Sequence, residues 1–507
     1  MKGFNLRSSM KKLFIALSTV ISFCAQAQKN TLLDQSFWQN KPDASLIKTE
    51  IEKGSNPAQL NPMGFDPVVM AINAGASNDV IKYLLAQPGN EVSKLTHDGR
   101  IYLHWAANRG NVEIMDYLIA KGSKASLEDN HGMTVLNFAA TGGQPNTQVY
   151  ELCLRNGADL KKDLNHDGAN ALLMAVANDK DLTLTDYFVA KGLDLKSTDA
   201  AGNNAFSYAA RGGNISTMKA LLQRGVPAND NALLMASQGS RRGANTLEVY
   251  QYLESLNLKP TVRGKNGENV LHAIVRRPKQ NEIIQYFLGK GVDVNQADDE
   301  GNTVFINAAA SNREVAVLEM LMPKVKDINQ ANQKGVTALA LAVKGNSPEV
   351  VAYLLDKGAD VKVSDKNGDN LAAYLVQSYS GEGRPGGPGA KPEDFDTKLK
   401  MLQEKGLDVK APQKNGNTLY HLAVAKNDLS LLKRLEPLQV DVNARNKDGI
   451  TALHKAAMVA KDDTMLKYLL SIGAQKDIPT NFKETAFDLA SENESLSKSQ
   501  VSVNFLK

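Results

Sequence analysis

One phrase returns along this sequence at intervals of 33 to 36 residues, and that period constrains the fold more than composition does. It opens at Gly64, Gly99, Gly132, Gly168, Gly202, Gly267, Gly301, Gly335, Gly368, Gly416 and Gly449. Two intervals are longer. The 65 residues from Gly202 to Gly267 hold two units, because NALLMA at 231–236 restores the phase with Asn229 in the glycine slot. The 48 from Gly368 to Gly416 hold one unit with an insertion, about fourteen residues beyond the usual period of about 33. A last unit begins near Lys483, with TAFDLA at 485–490.

Each unit reads as a helix pair. The glycine follows polar pairs such as Lys447-Asp448 or Lys414-Asn415, which mark a turn at a finger tip. Two residues later stands a helix N-cap: Thr134, Asn170, Asn204, Thr303, Thr337, Thr418 or Thr451. A short Ala-rich helix follows, then a polar turn. A second helix has apolar residues at helical spacing, such as Ile114, Tyr117 and Leu118 or Met465, Tyr468 and Leu469. It commonly ends at a C-capping glycine and a short extended stretch, as in GADVKVSDKNG at 358–368.

The first residues carry a different signal. Lys11 and Lys12 precede a short apolar run over 13–23, and Ala25-Gln26-Ala27 supplies small residues for cleavage after Ala27. The run is too short to span a bilayer as a stable helix, so 1–27 is predicted to be a signal peptide. The whole chain has a net charge of +4, and 1–27 contains Lys2, Arg7, Lys11 and Lys12 with no acid. Without that segment the chain is near neutrality, so its charge is no argument for nucleic acid. Only Cys153 then remains, which excludes an intrachain disulfide.

The repeated phrase resembles the ankyrin repeat, G-x-T-P-L-H-x-A-A, a second helix, then G-A-D-V-N. The matching residues include Leu103-His104, Leu271-His272, Leu453-His454, Gly157-Ala158-Asp159, Gly358-Ala359-Asp360 and Asp441-Val442-Asn443. The phrase's proline survives only as Pro67, and Asn often replaces Thr. The resemblance implies an all-α ankyrin-repeat solenoid of about 13 stacked helix pairs with β-turn fingers. Residues 28–60 are expected to form an N-terminal cap, 61–482 the repeats and 483–507 a C-terminal capping repeat. With the signal peptide, it implies an exported bacterial member of the family, periplasmic or, alternatively, released to engage a host protein.

No catalytic chemistry stands outside the repeat. His104, His272, His421 and His454 all sit five residues after the glycine, in the slot of the family's structural histidine. His97, His131 and His166 lie one or two residues before it, on finger tips. Cys153 falls on a packing slot of a second helix, which predicts a buried, inert thiol. The Gly-rich stretch 381–389 lacks the Gly-Lys-Ser/Thr ending of a phosphate loop. We therefore expect no enzyme, no cofactor and no metal.

A non-enzymatic scaffold for a protein partner is the expected function. In ankyrin-like solenoids the fingers and first helices line the concave face. Cations recur there at the end of the first helix: Arg109, Arg211, Arg276, Arg277, Lys344 and Lys426. They form either a basic groove for an acidic protein surface or local helix-end electrostatics. A second stripe lies six residues after the glycine: Met70, Trp105, Phe138, Met174, Tyr208, Met235, Leu341 and Tyr374. Residues at such spacing are core or contact, and Trp105 and Tyr208 are the two expected to reach the groove. Two extensions between helices, the Gly/Pro-rich 379–395 and 239–245 with Arg241 and Arg242, read as recognition loops or tolerated insertions. The expected partner is a protein with an acidic surface, not nucleic acid; no membrane anchor is expected, and the chain is expected to be a monomer.

Overall fold

A computed structural model describes residues 30–240, 243–380 and 392–507. The predicted signal peptide 1–27, Arg241 and Arg242, and most of the 379–395 insertion lie outside the described residues. Those described form α-helices and short 3-10 turns with no strand, as the all-α expectation requires. Extended pairing is confined to isolated bridges such as Thr198 with Asn204 and Ala297 with Thr303, each at the base of a finger.

The chain forms two compact units. The first comprises residues up to Ala209 together with Ser216–Val226, and the second comprises Ala210–Ile215 and Pro227–Lys507. In the first, the helices Gln35–Gln39 and Ala44–Glu52 precede pairs such as Tyr102–Asn108 with Val112–Ala120 and Val135–Thr141 with Thr147–Arg155. Trp38 closes the entry, with its ring buried and its Nε1 donating to Leu32 O at 2.9 Å. In the second, pairs such as Val304–Ser311 with Val315–Leu321 and Ala338–Gly345 with Pro348–Asp356 repeat the arrangement, ending in Ala486–Glu492 and Glu494–Lys498.

The caps lie where the sequence places them. The Thr134, Thr303, Thr337 and Thr451 hydroxyls and the Asn170 carboxamide each accept a backbone N–H of the first turn. The finger has a second determinant, three residues before the glycine. Asn165, Asp298, Asn332 and Asn446 each accept two backbone N–H groups with one side-chain oxygen, two and four residues on. This closes the turn without a strand partner. Adjacent fingers are joined by the backbone: Gln333 N donates to Glu300 O at 2.9 Å, Lys366 N to Lys334 O at 2.9 Å, and Lys447 N to Asn415 O at 3.0 Å.

Two glycine slots look alike in sequence and differ in cause. Gly301, at a finger, has φ +80°, and a Cβ there would stand 2.7 Å from Gln333 N of the next finger. Gly358, at the exit of a second helix, has φ +89° with nothing within 4 Å. The exit slot asks only for a left-handed backbone, so Asn257 (φ 61°) and Gln439 (φ 51°) occupy it in other units.

Stacking also needs carbonyl partners, because each first helix ends with unpaired C=O groups facing its neighbour. An amide from the following unit supplies them. Asn178 Nδ2 donates to Thr141 O at 3.0 Å, and Gln144 Nε2 to Asn108 O at 3.0 Å. Asn312 Nδ2 reaches Val275 O and Arg277 O at 2.8 and 3.2 Å, and Asn346 Nδ2 reaches Ala309 O and Asn312 O, both at 2.8 Å. Asn493 does the same for Ala457 O and Ala460 O. Where the insertion displaces this amide, the fully buried Lys398 substitutes for it, with Nζ 3.1 Å from Val343 O.

Candidate functional site

The four slot histidines are structural. The rings of His272, His421 and His454 accept the backbone N–H of their own N-cap residue at Nδ1, at 3.0 to 3.1 Å. This fixes the tautomer with hydrogen on Nε2. In His272 and His421 that group faces Asn302 O at 3.1 Å and Ile450 O at 2.9 Å, on the next unit. His104 Nε2 lies 3.2 Å from Met133 O. Burial holds all four below the usual histidine value, His104 at about 4, so they stay neutral. Cys153 is buried and free, its thiol pushed up to about 12 by that burial. Among the described residues no group of three His, Cys, Asp or Glu side chains could hold a metal.

The two aromatics expected in the groove lie inside. Trp105 is 7% exposed and Tyr208 6%. Their polar atoms explain it. Trp105 Nε1 donates to Thr96 Oγ1 at 2.9 Å and the Tyr208 hydroxyl to Asp199 Oδ2 at 2.9 Å; Tyr374 does the same with Asp365. In each case the acceptor is the turn residue three before the glycine, so the ring props its own finger from beneath. Phe65 and Phe138 meet the Trp105 ring edge-on, and the buried Arg100 guanidinium lies 4.2 Å from the Phe138 ring centroid. The same guanidinium pairs with Asp129 at 2.8 Å.

The six described cations at the ends of first helices divide by what they touch. Arg211 Nε donates to Gly239 O at 3.1 Å, Arg277 Nη2 donates to Gln238 O, and Lys426 Nζ donates to Val376 O, Gln377 O and Tyr379 O. These three cap carbonyls of adjoining repeats, the helix-end role. Arg109 is exposed and reaches Asn73 Oδ1 at 3.2 Å. Arg276 and Lys344 are exposed, and their side chains make no ion pair or hydrogen bond among the described residues. Arg241 and Arg242 lie outside the described residues.

Within the second unit Arg276 lines a cleft of about 450 Å³ together with Leu234, Asn266, His272, Glu268, Asp298, Asp299 and Glu300. Four carboxylates thus share the cleft with one guanidinium. None of the four is in an ion pair among the described residues, so this stretch of the surface is acidic.

The finger tips change sign further along. From the finger at Gly335 onward each carries an exposed lysine: Lys334, Lys366, Lys414, Lys447 and Lys483. In sequence these residues read only as turn formers, but their recurrence at nearly one offset from the glycine was the available signal. The second-helix face is different. There six ion pairs cross between neighbouring repeats: Lys82 with Glu113, Lys191 with Glu151, Arg224 with Asp186, Lys290 with Glu254, Lys405 with Asp356 and Arg434 with Asp396.

Comparison with known proteins agrees with this geometry. The profile described as "Ankyrin repeats (3 copies)" matches residues 68–163, 136–232, 271–365 and 420–501, more than half of the chain. The chain belongs to the ankyrin-repeat family, which is generally a non-enzymatic interaction module. It is 25% identical to alpha-latroinsectotoxin-Lt1a of Latrodectus tredecimguttatus over 59% of this chain and 22% of that protein. It is 23% identical to the transient receptor potential cation channel subfamily A member 1 of Homo sapiens, over 85% of this chain and 32% of the channel. It is 26% identical to the RelA-associated inhibitor of Mus musculus, over 26% of this chain and 16% of the relative. The chain therefore spans less than a third of the length of these relatives. No helix among the described residues is long and apolar enough to cross a membrane.

Proposed function

We propose that this protein is an exported, non-enzymatic scaffold that holds a protein partner against its fingers and first helices. The observation that carries the reading is the contrast between its faces. On the second-helix face six ion pairs tie neighbouring repeats together, whereas the ends of first helices keep exposed cations with no carboxylate counterpart, Arg276 and Lys344 among them. Unmatched charge is what a partner of complementary potential recognises. A mouse relative named for association with another protein supports a protein as the occupant. Export rests on the basic flank, apolar run and Ala25-Gln26-Ala27 of the first residues, with the periplasm as the destination.

The test is capture by the tagged chain from its own cells. Arg276→Glu with Lys344→Glu is expected to reduce recovery of the partner about tenfold while leaving thermal unfolding unchanged, as expected for surface charges. Lys400→Glu, on an exposed second-helix position, is expected to change neither. Equal capture by the double variant would remove this face from the reading. Fractionation with N-terminal sequencing checks export: the mature chain should begin at Gln28 in the periplasmic fraction, and an uncleaved cytosolic chain refutes it.

A further inference from the structure

We propose that the fingers from Lys334 to Lys483 bind an extended acidic polypeptide. A carboxylate at about every third residue meets one lysine per finger, and an apolar side chain at one end meets Phe482. This deepens the scaffold reading and rests on it.

The lysines run unbroken over the last five fingers, and Lys265, two before Gly267, is a separate earlier one beyond the acidic finger at Gly301. The fingers at Gly64, Gly99, Gly132, Gly168 and Gly202 have none in the two residues before the glycine, and the finger at Gly301 has Asp299 and Glu300 there. Lys366, Lys414 and Lys447 share the slot two before the glycine, Lys334 stands one before it, and Lys483 occupies the glycine slot itself. All five are exposed, and none makes an ion pair or a side-chain hydrogen bond among the described residues. Some lysines that follow the repeat elsewhere, such as Lys82, Lys290 and Lys405, have carboxylates one unit away. The five finger lysines have no such partner among the described residues.

The spacing selects the ligand. Backbone bonds from Lys366 N to Lys334 O, Lys414 N to Gly368 O and Lys447 N to Asn415 O hold the fingers in a continuous row. Equivalent positions in stacked helical layers are about 8–10 Å apart. An extended chain rises about 3.3 Å per residue, so about three residues bridge one finger to the next. The row ends on Phe482, which is 80% exposed, a large aromatic of the type that anchors interfaces. At the other end Asp298, Asp299 and Glu300 repel carboxylates, which fixes where the acidic stretch must stop. A single-stranded nucleic acid is disfavoured because it needs aromatic platforms between its cations, and Phe482 is the sole aromatic on these five tips.

The experiment is an anisotropy titration of the full chain with a labelled peptide of about 15 residues, Glu at every third position and Phe at one end. Binding that weakens with salt is expected. Lys366→Glu, Lys414→Glu and Lys447→Glu together should raise Kd more than about thirtyfold, and Phe482→Ala about fivefold. The alanine triple variant, with no charge reversed, should give about tenfold and guards against loss of folding. The Arg276→Glu, Lys344→Glu double variant should bind this peptide like the parent, which separates the ladder from the scaffold reading. The ladder is overturned if the peptide does not bind, if the triple variants bind it as the parent does, if clustering the same glutamates leaves Kd unchanged, or if an oligonucleotide of equal charge displaces it at lower concentration. A loss of partner capture by the double variant alongside any of these would leave the scaffold reading standing.

Discussion

Replacing Asn346 with alanine removes a side chain that is 4% exposed and donates to Ala309 O and Asn312 O of the preceding repeat, both at 2.8 Å. Neither carbonyl has a helical successor to bond, since the helix Val304–Ser311 ends there and Asn312 is extended. The Asn346 carboxamide oxygen also accepts Ser347 N at 2.8 Å. Stranding a buried polar group costs about 1–3 kcal/mol, so two carbonyls with partial relaxation predict a loss of about 2–4 kcal/mol. In a solenoid each repeat depends on its neighbours, so the loss should be local. Hydrogen exchange of the helices Val304–Ser311 and Ala338–Gly345 should quicken accordingly, while Ala452–Val459 keeps its protection. Asn346→Lys should recover part of the loss, because Lys398 and Lys426 perform the same task elsewhere. Gln403→Ala, at an exposed position, should stay within about 0.5 kcal/mol of the parent in urea unfolding. A change below about 0.5 kcal/mol for Asn346→Ala would refute the claim that these amides join the stack.

Two further outcomes follow from the repeat itself. Gly301→Ala should destabilise more than Gly358→Ala in thermal melts, because the first adds a 2.7 Å approach to Gln333 N to the about 1–2 kcal/mol of left-handed strain that both incur; equal losses would show that finger contact does not matter. The slot histidines should make the fold acid-labile. Their folded values lie below 6.5, so the unfolded chain binds the extra protons: stability is complete above about pH 6.5 and declines as pH falls towards 4. His104 alone contributes on the order of 3 kcal/mol across that window. An unfolding midpoint that stays flat from pH 7 to 5 would contradict this.

The legible parts of the sequence were those in which a local backbone demand recurs. Each finger needs a glycine or an equivalent, most first helices have a capping Thr or Asn, and His272, His421 and His454 answer their own N-cap three residues earlier. All of these lie within a few residues of one another. What stayed illegible depends on partners a repeat away. Arg211, Arg277 and Lys426 bond carbonyls 28, 39 and 50 residues distant, so the sequence leaves groove and helix-end roles open and only the structure separates these three from Arg276 and Lys344. Trp105 and Tyr208 were ambiguous for a related reason. Helical spacing gives the face, but only the finger folded back over them provides Thr96 and Asp199 as partners for their polar atoms.

The base of the insertion shows how such a stack tolerates change at its surface. Tyr379 and Phe395, one on each flank, are buried and meet edge-on with ring centroids 5.6 Å apart. The Arg434 guanidinium lies over the Tyr379 ring, Lys398 caps Val343 O, and Lys426 caps the three carbonyls leading into the insertion. The ends are thus tied by residues that belong to the stack and not to the loop. Lengthening a loop whose ends are already fixed costs only a slowly growing entropy, about 0.6 kcal/mol for each doubling. The helix Pro392–Glu404 can then rejoin the second-helix row, where Lys405 pairs with Asp356. Stacking therefore uses fixed slots of the repeat. Amides, histidines, inward aromatics and capping cations such as Arg211 and Lys426 hold the layers, while the charge of the finger tips varies, as it does between Glu300 and Lys334.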